Sequence, residues 1–174
     1  MKKPSFLWSL WGFAMTSLLG TLLHFLYDLT GGSVLVAPFS GVNESTWEHM
    51  KLFFWPFFIF TVIEYFFFRS NKCFLSIKLR ALIIGLALIP VLFYTYNGAI
   101  GKSPDFINIA IFFVSAFFAY LYEYRTFKKD DTVCLSKIIP LACIILIGAS
   151  FIIFTFHTPE LGIFKDPILG TFGI

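Results

Sequence analysis

Charged residues are scarce in this chain. Asp, Glu, Lys and Arg make up 13% of its 174 residues, whereas hydrophobic residues make up 58% and aromatic residues 21%. Soluble domains carry about 25% charged residues, and a domain this small needs polar surface to cover itself. The scarcity therefore excludes an ordinary soluble domain and predicts a polytopic membrane protein. The net charge is only +3, and the basic residues cluster beside apolar runs, so we expect no nucleic-acid partner.

Cysteine is also scarce, and several catalytic signatures are missing. Cys73 and Cys134 fall in segments that we assign to the cytoplasm, and Cys143 lies in an apolar run, so no structural disulfide is predicted. The lack of a Cys-x-x-Cys motif argues against a thiolate zinc site. The chain has no nucleotide-binding loop, dinucleotide fingerprint, nucleophile elbow or haem motif. These absences argue against an energy-coupled pump that acts alone.

Five apolar runs are long enough to cross a bilayer as helices. Residues 1–174 are therefore predicted to form one all-α integral membrane domain, a bundle of five transmembrane helices. The predicted spans are about 6–27, 49–68, 79–96, 105–122 and 137–156. The first run is too long for a cleaved signal peptide and no Ala-x-Ala site follows it, so we keep it as a span. Residues 157–174 contain too many helix breakers for a span and form an interfacial tail.

The distribution of basic residues predicts the orientation. Ten of the thirteen Lys and Arg residues precede span one or lie in the second and fourth connections. They are Lys2, Lys3, Arg69, Lys72, Lys78, Arg80, Arg125, Lys128, Lys129 and Lys137. Only Lys51, Lys102 and Lys165 fall on the other side, together with all three histidines. The positive-inside rule then places the N-terminus in the cytoplasm and the C-terminus outside.

Polar side chains recur along one face of span one. Ser17, Thr21, His24 and Asp28 follow at spacings of four, three and four. Asp28 is close enough to His24 on a helix surface to accept a hydrogen bond and to fix the tautomer of the imidazole. The alternative is a stripe that only packs against other helices, because Ser, Thr and His often bridge membrane helices.

The start of span two holds a second group of polar residues. Asn43, Glu44, Glu48 and His49 occur within seven residues. Ser45 and Glu48 form a capping-box pattern, and Glu44 suits the positive end of the helix dipole, so both acids have structural explanations. Those explanations do not account for His49, which could be a ligand, a proton carrier or a hydrogen-bond donor.

Residues of the right type for a divalent metal lie on this outer side. They are His24, Asp28, Glu44, Glu48, His49 and His157. Their spacing matches no specific metal signature, so His24, His49 and His157 are only weak candidates and the cofactor remains open.

The C-terminal tail and Glu64, an acid inside span two, are the remaining candidates. We expect the tail to fold back over the outer mouth of the bundle, with Phe164 and Phe172 at the interface and Asp166 or Lys165 pairing with the outer group. A purely structural lid explains the tail equally well. Glu64, one turn before Arg69, is predicted to reach the interface or to pair with that arginine or with another base on the inner side. A role in a proton path from the outer group is the weaker alternative, because Glu64 lies about four turns from His49.

Three segments carry a resemblance to a known family. They are His24-Phe-Leu-Tyr-Asp28, Val42-Asn-Glu-Ser-Thr-Trp-Glu-His-Met-Lys51 and Phe164-Lys-Asp-Pro-Ile-Leu-Gly-Thr-Phe-Gly-Ile174. They resemble the DUF6512 family of small bacterial multi-span membrane proteins over essentially the whole chain. The resemblance implies a bacterial cytoplasmic membrane protein in which the outer motif and the tail belong together, and it implies no activity.

Three functions fit these observations. The first is a small protein that binds or transports a cation or polar solute through an outward-facing pocket formed by His24, Asp28, Asn43, Glu44, Glu48, His49 and Asp166. The second is a membrane-embedded metal-dependent hydrolase, with Glu44 or Glu48 as general base. The third is a non-catalytic subunit or scaffold. Because five thin helices enclose little volume, a homodimer or a partner membrane protein is a further expectation alongside the lipid bilayer.

Overall fold

A computed structural model describes residues 3–101, 104–129 and 132–174, so the predicted orientation charges Lys2 and Lys102 lie outside the described residues. Within them the chain forms five α-helices and a short 3-10 turn. They are α1 (Phe6–Leu29), α2 (Thr46–Phe68), α3 (Phe74–Ile100), α4 (Asp105–Lys128), α5 (Ile138–Phe156) and the turn Gly162–Phe164. All five helices are long and apolar enough to span a membrane, which confirms the predicted all-α fold.

Four helices extend beyond their predicted bounds, α1 and α2 by two or three residues and α3 and α4 by more. Helix α3 begins at Phe74 rather than residue 79, and α4 continues to Lys128 rather than ending at residue 122. The sequence prediction stopped each span near a charged residue, because an unpaired charge is costly in hydrocarbon. Assigning Lys78 to a connection was therefore wrong: it lies inside α3 and is fully buried among partners from other helices.

Helix α2 is the centre of the bundle. It contacts α1, α3, α4, α5 and the 3-10 turn. Its phenylalanines Phe53, Phe54, Phe57 and Phe60 are almost completely buried and belong to the main hydrophobic core. The ring of Phe53 fills the space where Gly85 of α3 has no side chain, so any Cβ at that position would collide with the ring. Close packing of this kind replaces the hydrophobic effect that drives association in water.

Helix α1 has two different faces. Its buried residues are small or polar: Ser9, Gly12, Thr16, Ser17 and Gly20. Its exposed residues include Leu7, Trp11, Leu18 and Leu22, which form an apolar face on the outside of the bundle. Because similar exposed apolar faces occur on the other helices, the bundle contacts the lipid bilayer.

Contacts between chain segments define two ends of the bundle. At the histidine end, which is formed by the 30–45 connection, the start of α2 and the 157–174 tail, Tyr94 at the end of α3 donates to Gly162 O at 3.0 Å. At the basic end, which is formed by the 69–73 and 129–137 connections and the start of α1, Lys3 Nζ donates to Lys128 O at 3.4 Å.

The two basic-end connections are joined by a disulfide, which the sequence analysis did not predict. Cys73 and Cys134 are bonded, with their Cα atoms 4.8 Å apart. Ser76 Oγ accepts a hydrogen bond from Leu135 N at 2.9 Å beside this pair. The two cysteines are 61 positions apart, and only the packing of the helices brings them together. The sequence analysis left them unpaired because it assigned both segments to the cytoplasm, where thiols are kept reduced.

Candidate functional site at the histidine end

The connection between α1 and α2 is attached to the last turns of α1. Gly31 and Gly32 have positive φ angles of 66° and 76°, a conformation that side chains with a Cβ rarely adopt, and they reverse the chain. The buried hydroxyl of Ser40 then accepts a hydrogen bond from Tyr27 N at 2.9 Å and donates to Leu23 O. This side chain takes the place of a helical backbone partner and brings the connection alongside His24.

The same connection is fixed to the start of α2. Ser45 Oγ accepts from Glu48 N at 3.3 Å, which is the helix cap that the sequence predicts. A capping box also requires the Glu48 carboxylate to accept from Ser45 N, and this part of the prediction is wrong. Glu48 Oε2 instead accepts from Val42 N at 3.0 Å. The Ser45 N–H instead donates to Asn43 Oδ1 at 2.9 Å. Glu44 is thus held between two fixed residues, and its side chain remains available.

Lys51 links the 30–45 connection to the start of α2 and to α5. Its side chain is fully buried and its Nζ lies 2.6 Å from Glu48 Oε2. The same ammonium donates to Ala37 O at 2.8 Å and to Thr155 Oγ1 of α5 at 3.1 Å. One cation therefore connects the 30–45 connection, α2 and α5. A buried ammonium is tolerated only when it is paired and hydrogen-bonded in this way.

His24, Glu44 and His49 converge at the top of α1 and α2. The distances are 3.5 Å from His24 Nε2 to Glu44 Oε1 and 3.7 Å from His49 Nε2 to Glu44 Oε2. His49 Nδ1 lies 3.0 Å from Ser45 O, so this nitrogen carries the proton and donates. The tautomer places the lone pair on Nε2, which faces Glu44. A backbone carbonyl commonly orients metal-binding histidines in this manner.

The spacing of these three side chains suits a single small cation. One ligand atom from each residue lies within 4.8 Å of the other two. A tetrahedral ion with bonds of about 2.0–2.1 Å has its ligand atoms about 3.3 Å apart. The 3.5 Å and 3.7 Å distances go to different oxygens of Glu44, and one ligand atom from each residue comes only within 4.8 Å of the others, so the side chains would have to rotate to bring all three atoms to one ion.

A cavity of about 180 Å³ adjoins the cluster. His24 and His49 line it together with Gly20, Thr21 and apolar residues of α1, α2 and α4, among them Phe112 and Phe113. The imidazoles are the principal polar groups on its wall. Apart from Thr21 and the two imidazoles, the side chains on its wall are apolar.

The C-terminal tail covers the other side of the cluster. Asp166 is 2% exposed, and its Oδ2 accepts from Glu44 N at 3.1 Å. Its Oδ1 accepts from Ile168 N at 2.6 Å and from Leu169 N at 3.0 Å. Burial alone would raise the pKa of the Asp166 carboxyl, but these backbone hydrogen bonds outweigh it and hold that pKa below its ordinary value.

Aromatic packing and a side-chain amide also dock the tail. Phe164 is buried, with its ring centroid 4.7 Å from that of Trp47 and 5.6 Å from that of Phe154. Asn43 Nδ2 donates to Gly173 O at 3.1 Å. The tail therefore fixes both Asn43 and the backbone of Glu44, which places it in the support of the histidine cluster.

The family comparison covers this whole arrangement, from the first helix to the tail. The DUF6512 family model, which describes a family of unknown function, matches residues 2–174. The chain belongs to the DUF6512 family. No curated protein and no solved structure matches it.

Not every sequence-predicted residue of this DUF6512 chain joins the cluster. Asp28 is exposed, and among the described residues its carboxylate has no hydrogen bond to His24, which faces Glu44 instead. His157 is exposed at the end of α5 and is not part of the three-residue group. Glu48 is turned toward Lys51. The structure thus brings together His24, Glu44 and His49, with Asn43 and Asp166 supporting them.

The DUF6512 chain has a second charged cluster that sequence reasoning largely missed. At the basic end of the core, Lys78 forms ion pairs with Glu64 and, at 2.6 Å, with Glu123. The predicted pairing of Glu64 with Arg69 was wrong, whereas the alternative of another inner-side base is confirmed. The sequence did contain one signal for this cluster, the position of Glu64 inside a span. A carboxylate there needs a cation as a partner, and a buried lysine on a neighbouring helix supplies it.

The tail contact yields a first prediction. We expect Asp166→Ala to raise hydrogen-exchange rates at the amides of Glu44, Ile168 and Leu169 at least about tenfold, because hydrogen bonds to a charged acceptor contribute about 1.5–3 kcal/mol each. Since the folded pKa of Asp166 is depressed, its contribution is complete above the unfolded pKa of about 3.9 and is lost as the pH falls through the folded value. Hydrogen exchange with mass spectrometry measures both effects.

The exposed tail residue Glu160 provides the control for this experiment. Glu160→Ala should leave those exchange rates unchanged. Equal protection in Asp166→Ala and Glu160→Ala would show that the carboxylate does not hold the tail.

Proposed function

We propose that this protein binds a divalent transition-metal cation in an outward-facing site at the histidine end, as a small binding or transport protein of the bacterial cytoplasmic membrane. The observation that carries the proposal is the convergence of His24, Glu44 and His49 from two helices and a connection. Two imidazoles and one carboxylate are ligands that zinc and similar borderline cations accept.

The donor set favours exchange over permanent binding. Three protein ligands leave the fourth tetrahedral position open, whereas structural zinc sites are usually closed by four protein ligands. The adjoining cavity reaches both histidines. His49 is oriented by Ser45 O, and the backbone of Glu44 is held by Asp166, so two of the three ligands are positioned before a cation arrives. This combination suits capture and release of a cation.

The proposed orientation follows from charge. Lys78 lies inside α3 and not in a connection. The basic end still carries most of the Lys and Arg residues, including Arg69, Lys72 and Arg80. The positive-inside rule places this end in the cytoplasm, so the histidine end faces outward. The Cys73–Cys134 disulfide lies at the same end and argues for the opposite orientation, because cytoplasmic thiols are kept reduced, so the proposed orientation rests on charge alone. The outward site would then receive its cation from outside the cell.

The geometry gives less support to a hydrolase. A general base needs a free carboxylate close to the metal-bound water. Glu48 is already paired with Lys51, and Glu44 lies between the two histidines as a ligand. Asp166 accepts three backbone hydrogen bonds. These three carboxylates therefore all have other roles.

Titration with Co²⁺ and Zn²⁺ in lipid nanodiscs tests the proposal. We expect one cation per chain, and we expect His49→Ala and Glu44→Gln each to weaken binding by at least about tenfold, since even outer-shell changes at metal sites cost about 10–100-fold. His157→Ala is the matched control, because His157 is exposed and outside the cluster. The d–d absorption of bound cobalt reports its coordination geometry, and a change in His49→Ala would assign that imidazole as a ligand.

Two outcomes would overturn the cation site. One is the absence of binding by the wild type, and the other is equal affinity in wild type and His49→Ala. Flux measurements in proteoliposomes then separate the modes of action: cation uptake that His49→Ala abolishes supports transport, and binding without flux supports a binding protein.

A further inference from the structure

The second charged cluster lies inside the bundle near its basic end, on three different helices. Glu64 of α2, Lys78 of α3 and Glu123 of α4 are each 0% exposed. Lys78 Nζ contacts Glu64 Oε2 and lies 2.6 Å from Glu123 Oε2. A fully buried cluster with three charged members is energetically costly, and such residues in spans usually mark functional sites.

The composition of this cluster does not balance if every member is ionised. Two carboxylates and one ammonium would leave one net negative charge in a low-dielectric interior. The uncompensated charge would cost several kcal/mol even after relaxation. A neutral cluster requires one additional positive charge, and a proton on one carboxyl group supplies it with the least volume.

The described surroundings offer no other cation to balance the charge. The Lys78 ammonium faces the rings of Phe57, Phe60 and Tyr120, whose centroids lie 4.8, 5.6 and 5.5 Å away. Tyr120 is the other titratable group in contact with the cluster, and its hydroxyl is hydrogen-bonded to Thr16 Oγ1 at 2.8 Å. Phenol and aromatic rings stabilise the ammonium but add no positive charge.

The carboxyl oxygens also leave a place for a proton. Glu64 Oε1 and Glu123 Oε1 are buried and make no hydrogen bond of normal geometry among the described residues, while the Trp8 indole N–H lies beside the Glu64 carboxyl and the two carboxyls lie beside each other. Each Oε2 is the oxygen that faces Lys78. A buried carboxylate oxygen without a donor is poorly stabilised, whereas a protonated carboxyl needs fewer partners.

We infer that Glu64, Lys78 and Glu123 form a proton-binding site, which holds one exchangeable proton on its carboxyl pair. The bound proton makes the cluster neutral: one carboxylate, one carboxylic acid and one ammonium. Uptake forms one O–H bond from a water-derived hydronium, and release returns that proton to water, so no electron is transferred. This site is separate from the proposed cation site and does not depend on it.

Infrared spectroscopy of the wild-type protein in bilayers provides the first test. At neutral pH we expect a C=O stretching band of a buried protonated carboxylic acid, shifted on transfer to D₂O, with an intensity of about one group per chain. Absence of this band would overturn the proposal without any variant. This measurement does not depend on how a substitution affects folding.

Two isosteric substitutions assign the band. In Glu64→Gln and in Glu123→Gln the remaining carboxylate pairs one-to-one with Lys78, so each variant should lose the protonated band completely. Glu160→Gln, at an exposed tail position, should retain it. A band that persists in both core variants would place the proton on another residue and would overturn the assignment.

The cation titration separates this proposal from the previous one. Glu64→Gln and Glu123→Gln should bind Co²⁺ with wild-type affinity, because they leave His24, Glu44 and His49 untouched. If the wild type binds no metal but shows the band, the proton site stands alone; if it binds metal and shows no band, only the cation site stands.

Discussion

Lys78→Met is expected to destabilise the protein by about 3–5 kcal/mol at neutral pH. The substitution removes the only described cation from a cluster in which Glu64 and Glu123 are completely buried, and breaking a buried ion pair from one side leaves an uncompensated charge. Because protonation neutralises both carboxyl groups, the loss should become smaller as the pH is lowered. Unfolding by SDS titration in dodecylmaltoside, repeated at several pH values, measures the loss.

Two further variants show whether charge is the cause. Lys72→Met changes an exposed lysine at the basic end and should leave the free energy of unfolding within about 0.5 kcal/mol of wild type. The triple variant Lys78→Met, Glu64→Gln, Glu123→Gln removes every charge of the cluster and should recover much of the stability. Wild-type stability in Lys78→Met would contradict the geometry of this cluster.

Lys51→Met is expected to reduce both folding stability and cation affinity. Its ammonium is fully buried against Glu48, Ala37 O and Thr155, so the variant leaves the Glu48 carboxylate without its cation, at an expected cost of about 3–5 kcal/mol. Release of Glu48 also frees Val42 and shifts the connection that carries Glu44. Cobalt affinity should therefore fall at least about tenfold, as it does when metal ligands lose their supports.

A double variant that also changes Glu48 separates the effect of Lys51→Met on stability from its effect on cation affinity. In Glu48→Gln, Lys51→Met both charges are absent, so we expect the free energy of unfolding to recover while cation affinity remains reduced. Lys165→Met, at an exposed tail position, should change neither quantity. Unchanged cobalt affinity in Lys51→Met would show that the buried lysine does not position Glu44.

The two charged clusters share a structural basis. Helix α2 supplies Glu48 and His49 near one end and Glu64 near the other, and it is the helix that contacts all its neighbours. Each buried acid pairs with a lysine, Lys51 within α2 and Lys78 from α3. The first pair supports a surface site, whereas the second is enclosed. Placement of paired charges on the most buried helix follows from the cost of exposing either member to lipid.

The sequence predicted the helical spans well because their signal is local. Length and hydropathy over some twenty residues suffice to recognise a transmembrane helix, and the five helices were found on that basis. The same criterion misplaced the ends of α3 and α4 and assigned Lys78 to a connection. A charge that is paired by another helix is indistinguishable, in one sequence, from a charge in a loop.

The candidate site was predicted only in part. His24, Glu44 and His49 were proposed from residue type and from their common end of the bundle, and the structure brings these three together. Asp28 has the ideal helical spacing from His24 but is exposed, because His24 faces the connection and α2 rather than its own next turn. Helical spacing gives the residues that share a face, while packing decides which face is buried.

The sequence by itself determined that this chain is a bundle of five membrane-spanning helices, with its basic residues concentrated toward one end and its histidines at the other, because hydrocarbon accepts only long apolar helices and charge biases their orientation. Tertiary structure alone decided that His24 and His49 share Glu44, that Cys73 meets Cys134, and that Lys78 joins two acids. These contacts connect residues far apart in sequence, and they form only when the helices pack at defined distances and rotations.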